Sequence, residues 1–307
     1  MKVLVTGGAG FIGAEIVKRL HAEGHDVAIL DNQSGASRPD VNRALPFYHV
    51  DIRDQATVQN VFAREKPDAV CHYAARIDVA KSMSGPAADA EVNILGGLNV
   101  LEASLEFGVS RFVFASTGGA IYGNPTQLPV TEEYVPQPLA PYGVAKLAFE
   151  HYLRVYRDRL PSIVLRYANL YGPGQGPIGE SGVIAIFTGR VMHGSGVKVY
   201  GDGRATRDYV YVTDAADAAC KALASDHTGV YNIGSGRQTS VLEVIRGLGQ
   251  IFERELPVEF CPARPGEARH IVLDSAKALR ELGWCVQVPL AEGLKAVVQS
   301  QMREVSA

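Results

Sequence analysis

Cysteine is scarce and scattered in this chain. Cys71, Cys220, Cys261 and Cys285 are the only four in 307 residues, with no Cys-x-x-Cys pair and no histidine at zinc-ligand spacing. That pattern speaks against a disulfide-stapled scaffold and a structural metal, and reads as reduced thiols in a cytosolic protein. No apolar run approaches membrane-spanning length, so no membrane partner is expected. Basic charge is not in excess either: 30 Lys and Arg stand against 33 Asp and Glu, a net charge of -3. A general field for nucleic acid is therefore absent, while a local basic pocket stays compatible. Internal repeats and low-complexity tracts are missing as well. The first β-rich run leads straight into glycine at Gly7, which leaves no room for a signal peptide and predicts a cytoplasmic protein.

What is present is a hydrophobic content of 47% and 32 glycines, enough for a large α/β core with a second lobe. Short β-rich runs alternate with helical stretches. The runs are Val3-Leu4-Val5, Val27 to Leu30, Phe47 to Val50, Ala69-Val70-Cys71, Arg111 to Ala115 and Ile163 to Arg166. Helices are predicted around Ala14 to Glu23, Gln55 to Glu65, Ala87 to Phe107 and Pro141 to Arg159. Such alternation implies a parallel sheet with crossover helices. The glycine- and proline-rich stretch from Tyr171 to Gly182 cannot be regular structure. It is expected either to be a loop over the site or to divide a dinucleotide domain, residues 1–170, from a smaller lobe, residues 171–307, with about 208–236 returning to the first domain.

Gly7-Gly8-Ala9-Gly10-Phe11-Ile12-Gly13 follows a strand and opens a helix. Glycines there let backbone approach a pyrophosphate, and the helix start offers N–H groups to it. An ordinary glycine-rich turn would look the same, but Asp31 ends the second strand at about the distance where a carboxylate accepts both ribose hydroxyls of an adenosine. Asp31 would repel a 2′-phosphate, so NAD is favoured over NADP. Asp51, ending the third strand, suits either an adenine amine or solvent.

Ser116-Thr117 ends the fifth strand, where an open parallel sheet faces its ligand crevice. Further on lies Tyr142-Gly143-Val144-Ala145-Lys146, with Pro141 suited to a first helical position. Residues four apart share a helix face, which sets the Lys146 ammonium beside the Tyr142 phenol. Making a phenol a base at neutral pH needs about 4 kcal/mol, and an ammonium about 4 Å away at an effective dielectric near 20 supplies about that much. With 13 tyrosines and nine lysines in the chain, chance gives about 0.4 such spacings. The motif therefore gains its force from its partners: a hydroxyl at Thr117 and a dinucleotide loop.

Together with His72-Tyr73-Ala74-Ala75, Tyr122-Gly123, Arg166-Tyr167-Ala168-Asn169, Thr206-Arg207-Asp208-Tyr209 and Arg264-Pro265-Gly266-Glu267, these motifs cover essentially the whole chain. By them the chain resembles an extended short-chain dehydrogenase/reductase, and within that group the UDP-glucose (UDP-galactose) 4-epimerase family. The resemblance implies a Rossmann-type doubly wound parallel sheet with a smaller C-terminal substrate lobe. It implies NAD held by Gly7, Gly10, Phe11, Ile12, Asp31, Asn32, Asp51, Ile52, Ala74, Ala75, Tyr142, Lys146 and Tyr167. Thr117, Tyr142 and Lys146 are the implied catalytic residues, and Thr117, Asn169, Arg207, Arg264, Glu267 and Ile271 the substrate contacts. Reversible oxidation at sugar C4 through a 4-keto sugar, and a homodimer through the Ala87 to Phe107 and Pro141 to Arg159 helices, are further implications. Two arginines and an asparagine suit a diphosphate, and a carboxylate suits a ribose diol.

Departures refine that picture. Thr117 stands where the best-known epimerases have serine, and Gly118-Gly119 follows it where dehydratases and decarboxylases carry an acid, so loss of water is disfavoured. Ile77 replaces a cofactor-phosphate lysine, leaving Arg76 and Lys81 as nearby cations, and Ala168 is smaller than the usual aromatic. Ile271 sits where a bulky tyrosine blocks an acetylated sugar in some members, so either it opens the pocket to UDP-N-acetylglucosamine or it packs in the strand Ile271-Val272-Leu273. Another nucleotide-sugar epimerase, such as one for UDP-glucuronate, and a non-catalytic NAD-responsive binding protein are the alternatives.

Overall fold

The computed structural model describes residues 1–35, 44–176, 182–263 and 268–306. Its frame is a parallel sheet built from β1 (Lys2–Thr6), β2 (Asp26–Asp31), β3 (Phe47–His49), β4 (Ala69–His72), β5 (Arg111–Thr117), β6 (Ser162–Tyr167) and, from later in the chain, Gly229–Ile233. The spatial order starts from that last strand and runs β6, β5, β4, β1, β2, β3. The chain winds outward from β1 to β3, then returns to the other side of β1 with β4, which opens a crevice at the carboxyl ends of β1 and β4.

Strand residues alternate between two cores. Val3, Val5, Ile29, Cys71, Val113 and Leu165 point to one face, packed against Ile16, Val17 and Leu20 of α1 (Phe11–Ala22). Leu4, Leu30, Val70, Phe112 and Phe114 point to the other face. There they meet α2 (Gln55–Glu65), which Asp54 caps by accepting from the Thr57 amide at 3.1 Å. A parallel sheet covered on both faces requires such continuously apolar strands.

The stretch predicted as one helix from Ala87 to Phe107 is helical but not uniform. After α3 (Val79–Ser84) come α4 (Pro86–Ala90), a π-helical turn over Glu91–Gly96, and α5 (Gly97–Glu106). The wide turn turns Asn93 inward, where its side chain accepts from the Arg76 amide at 3.0 Å and donates to the Arg76 carbonyl at 2.9 Å. At its end, a Cβ on Gly96 would meet Ile52 at 2.7 Å and one on Gly97 would meet Phe149 at 2.8 Å. Glycine at both positions lets the helix press onto the sheet. Then follow the short α6 (Gly118–Ile121) and α7 (Pro141–Val155), whose Phe149 and Leu153 join the second core.

The second lobe gathers β7 (Asn169–Tyr171), α8 (Val183–Met192), β8 (Val197–Tyr200), β9 (Thr206–Arg207) and β10 (Tyr209–Tyr211). The chain then returns to the sheet: α9 (Val212–Ala224) packs on α1, and β11 (Gly229–Ile233) pairs with β6. It re-enters the lobe with β12 (Thr239–Ser240), α10 (Val241–Ile251) and β13 (Val258–Cys261). Next, α11 (Ala276–Leu282) lies on β11 and α9, and α12 (Leu290–Ser306) closes the lobe against α8 and α10. The lobe has its own core, including Ile184, Phe187, Val199, Val244, Leu248 and Val297. Among the described residues, no helix is long and apolar enough to cross a membrane. None of their His, Cys, Asp or Glu side chains form a group of three able to hold a metal.

Candidate active site

The glycine loop leaves β1 at Gly7, whose φ of +71° is the left-handed region that suits glycine. A Cβ on Gly7 would lie 2.5 Å from the Ala74 nitrogen, and one on Gly13 would lie 2.0 Å from the Gly7 carbonyl oxygen. The loop is thus pressed between β4's exit and the start of α1. At that start, Gly10 brings no side-chain cap to the amides around Phe11 and Ile12. Asp31 reaches back to the loop, accepting from the Ala9 amide at 2.9 Å and from its own turn at Gln33 at 2.7 Å. The residues present therefore fit a dinucleotide: a cradle closed to any Cβ, the amino end of α1 directly behind it and a carboxylate at the end of β2.

Asn32 and Asp51 meet at the neighbouring strand ends, with Asn32 Nδ2 donating to Asp51 Oδ2 at 2.9 Å. Arg53 grips the same carboxylate at 3.0 and 2.8 Å. These bonds, with the Arg53 charge, hold Asp51 well below the usual carboxylate range. Ile52 is buried beside them. Beyond β4, the Thr6 hydroxyl stands 3.3 Å from the Tyr73 and Ala74 amides and 2.7 Å from His72 Nδ1. Ala74 and Ala75 are half-buried along this edge.

The Tyr167 hydroxyl is engaged within the protein. It donates to the Ala215 carbonyl at 3.1 Å and lies 2.6 Å from the Tyr73 hydroxyl, which must then be the donor between them. Burial pushes both phenols above their ordinary pKa. What Tyr167 can turn toward a ligand is ring and backbone, not hydroxyl.

Thr117 closes β5 and opens α6. It is 9% exposed, and its Oγ1 accepts from the Ala120 amide at 3.2 Å, which leaves its O–H to donate. Across the sheet, register sets Thr117 opposite Tyr167. A Cβ on Gly119 would lie 3.3 Å from Asn169 Oδ1 and 3.9 Å from Thr117 Oγ1, so these two polar groups converge over Gly119.

Tyr142 sits in the first turn of α7, half-buried, its amide donating to Ser82 Oγ at 3.2 Å. The helix approaches closely because residue 143 is glycine: a Cβ there would be 2.5 Å from the Ala120 carbonyl oxygen. Lys146, one turn on, is 3% exposed and donates to the Ala115 carbonyl at 3.0 Å. Its Nζ lies 4.7 Å from the Phe114 ring centre and 6.0 Å from that of Tyr142. Burial lowers its pKa from 10.5 to about 8, against the opposing charges of Asp89 and Glu150. His72, on the far side, is pushed down to about 3 by burial and by Lys146, and stays neutral.

On the lobe side, Arg207 Nη1 donates to the Thr206 carbonyl at 3.0 Å. The adjacent Asp208 is buried and accepts from Ser235 Oγ, the Ser235 amide and the Leu273 amide at 2.5, 2.8 and 3.1 Å. Ile271 is 2% exposed, in the same core as Val113 and Leu165. It is packed, although residues 271–273 form only an isolated bridge from Leu273 to Val130 rather than the expected strand. Arg264 and Glu267 lie outside the described residues.

Sequence reasoning missed a buried polar chain behind the site. Ser116 Oγ donates to Glu150 Oε1 at 2.5 Å, and Arg166 holds Glu150 through Nε and Nη2 at 3.0 and 2.6 Å. Arg166 Nη1 donates to the Tyr122 hydroxyl at 2.8 Å, which donates to Asn232 Oδ1 at 2.7 Å. The available signals were a charged residue inside the apolar run of β6 and an acid at the next four-residue step after Lys146.

The sequence pattern of the NAD dependent epimerase/dehydratase family matches residues 3–234. A UDP-glucose 4-epimerase of Mycolicibacterium smegmatis is 39% identical over 307 residues, spanning 97% of this chain and 98% of that protein. A crystal structure of UDP-glucose 4-epimerase from Thermotoga maritima with UDP-glucose is similar at a TM-score of 0.97 and 42% identity, covering 99% of this chain and 100% of that one. The Thermus thermophilus UDP-glucose 4-epimerase in complex with NAD gives 0.94 and 44%, over 98% of each chain. With a family pattern over most of its length and relatives of this identity end to end, the chain belongs to the NAD dependent epimerase/dehydratase family.

Proposed function

We propose that this chain is an NAD-dependent epimerase acting at C4 of a UDP-hexose, interconverting UDP-glucose and UDP-galactose. The reading is supported above all by Lys146, 6.0 Å from the Tyr142 ring centre and 3.0 Å from the Ala115 carbonyl two residues before Thr117, beside the crevice where the glycine loop and Asp31 suit a dinucleotide. Tyr142 takes the proton of the 4-hydroxyl. Thr117, with its O–H left to donate, bridges that oxygen and Tyr142. The Lys146 ammonium holds negative charge on the phenol oxygen. Bound NAD supplies the two-electron acceptor that makes C4 oxidation reversible. Asn169 and Arg207 on the lobe side, with Arg264, receive the nucleotide diphosphate and Glu267 the ribose diol, while the 4-keto sugar turns over in the pocket and is reduced on its other face.

Purified protein with UDP-glucose and catalytic NAD is expected to form UDP-galactose without net accumulation of NADH. Stoichiometric NADH, or no change in a panel that includes UDP-N-acetylglucosamine and UDP-glucuronate, would overturn the reading.

The same proposal covers a cytoplasmic homodimer, with residues 1–170 and 208–236 forming the dinucleotide domain and the remainder of 171–307 the substrate lobe. Support for the dimer comes from exposed Met83, Leu95, Val144, Tyr152 and Val155 around α3 to α7. An apolar groove of about 440 Å³ lies between α4 and the start of α7. A monomeric mass by sedimentation at micromolar concentration would rule out this assembly.

A further inference from the structure

The short turn that carries Thr117 is clipped at both of its ends by one buried ion pair. At the entry, Ser116 Oγ donates to Glu150 Oε1 at 2.5 Å. At the exit, Arg166 Nη1 donates to the Tyr122 hydroxyl at 2.8 Å. Glu150 and Arg166 join these ends through three contacts of 2.6 to 3.2 Å. All four residues are at most 6% exposed. Register makes the clip direct, since Ser116 pairs with Arg166 across β5 and β6.

The second half of the argument lies on α7. Tyr142, Lys146 and Glu150 follow one another at four-residue steps and so share a face. Lys146 holds the Ala115 carbonyl at 3.0 Å and Glu150 holds the Ser116 hydroxyl. The helix that carries the phenol therefore fastens the two strand residues immediately before Thr117. A buried ion pair is costly to maintain against an apolar replacement. Here its directional bonds set the distance between a hydroxyl on one element and a phenol on another, which apolar packing does not specify as sharply.

We propose that Glu150, paired with Arg166, is the positioning residue that holds the Thr117 turn in register with Tyr142. This rests on the epimerase reading above and adds to it a group that touches neither substrate nor cofactor. Glu150 also faces Lys146 electrostatically, together with Asp89 from α4 and neutral His72 from β4. Its negative charge keeps the Lys146 ammonium protonated to higher pH.

Two substitutions separate these effects. Ser116→Ala cuts only the clip and leaves the ion pair whole, since Arg166 still satisfies Glu150. It is expected to lower kcat about tenfold, equivalent to one hydrogen bond's worth of geometry, with KM for UDP-glucose within about twofold of wild type and the alkaline limb of the pH profile in place. Glu150→Gln removes charge as well, so the alkaline limb should move to lower pH as Lys146 loses its proton more readily. Amide hydrogen exchange of the peptide 117–122 provides a readout that needs no turnover: it should quicken about tenfold in Ser116→Ala while the rest of the sheet is unchanged. Unchanged kcat and unchanged exchange in Ser116→Ala overturn the proposal even if Glu150→Gln fails to fold. Equal changes in kcat and KM with a lowered Tm would make the clip merely structural, also overturning it. A wild-type protein inert toward UDP-glucose would sink the epimerase reading alone, while the exchange experiment would still decide whether the clip exists.

Discussion

Replacing Lys146 with methionine is expected to slow the enzyme and stabilise the apo protein at the same time. Burial lowers the Lys146 pKa from 10.5 to about 8, which corresponds to about 3 kcal/mol. The unfolded chain keeps this proton up to about pH 10.5 and the folded chain only to about 8. Below pH 8, folding therefore carries the whole cost of a buried ammonium. Between pH 8 and 10.5 the unfolded state binds more protons, so stability rises and the cost is relieved. Methionine removes the ammonium while keeping a stem of similar length, but leaves the Ala115 carbonyl without its donor at 3.0 Å, a loss of about 1 kcal/mol. The net is a gain of about 2 kcal/mol at pH 7 that disappears by pH 10. For catalysis, an ammonium 6.0 Å from the Tyr142 ring centre at an effective dielectric near 20 stabilises phenolate charge by about 3 kcal/mol, so kcat should fall about 10²-fold. Urea unfolding of both proteins at pH 7 and pH 10, beside kcat at pH 7, measures both arms. A variant less stable at pH 7, with no convergence toward pH 10, would refute the burial argument; wild-type kcat would refute the electrostatic one.

Tyr142→Phe keeps the ring and removes the proton acceptor, so turnover should drop by about 10² to 10⁴ while UDP-glucose affinity by calorimetry stays nearly intact; a folded Phe variant with near wild-type turnover would exclude Tyr142 as the acid/base. Asp31→Ala removes both the carboxylate at the end of β2 and its bond to the Ala9 amide, and NAD binding should weaken, which equilibrium dialysis reads directly. An unchanged NAD affinity would place the ribose elsewhere. Ile271→Tyr tests whether a residue buried in the core also borders the sugar: it should lower turnover on UDP-N-acetylglucosamine relative to UDP-glucose by about 1 to 3 kcal/mol. Equal effects on both sugars, accompanied by a lower Tm, would mean that Ile271 only packs.

The sheet was legible because buried apolar runs are strong local signals, and every run from Val3 to Arg166 lies in a strand of the large sheet save Val50, just past the end of β3. The uniform helix expected over Ala87 to Phe107 was not what the chain forms, and the reason is tertiary. Composition there favours helix apart from Gly96-Gly97, and nothing local distinguishes a π turn from an α turn. The extra residue is selected by where Asn93 must reach, the Arg76 backbone, and by the clearance that Gly96 and Gly97 leave for Ile52 and Phe149. The fragmented second lobe was less visible for a similar cause, since β7, β9, β10 and β12 have only two or three residues each, too few for a period to declare itself.

At the site, helix spacing alone brought Tyr142 and Lys146 to one face, and the end of β5 brought Thr117 toward them. Beyond the phenol and the cofactor expected of it, Lys146 also holds the Ala115 carbonyl at 3.0 Å, a partner that only strand-to-helix packing reveals. Glu150 lies at the same four-residue step and was passed over, since an acid on a helix ordinarily faces water. What forces it inward is Arg166, a buried guanidinium near the carboxyl end of β6, between Leu165 and Tyr167. A charge placed there cannot be solvated, so it requires a buried carboxylate from the element packed above it. The position four residues beyond Lys146 on α7 can supply one while also reaching Ser116. A charged residue near the end of a buried strand, beside a neighbouring strand end that carries candidate catalytic residues, is thus a sequence signal for a support behind the site. It becomes readable once the neighbouring strand is known.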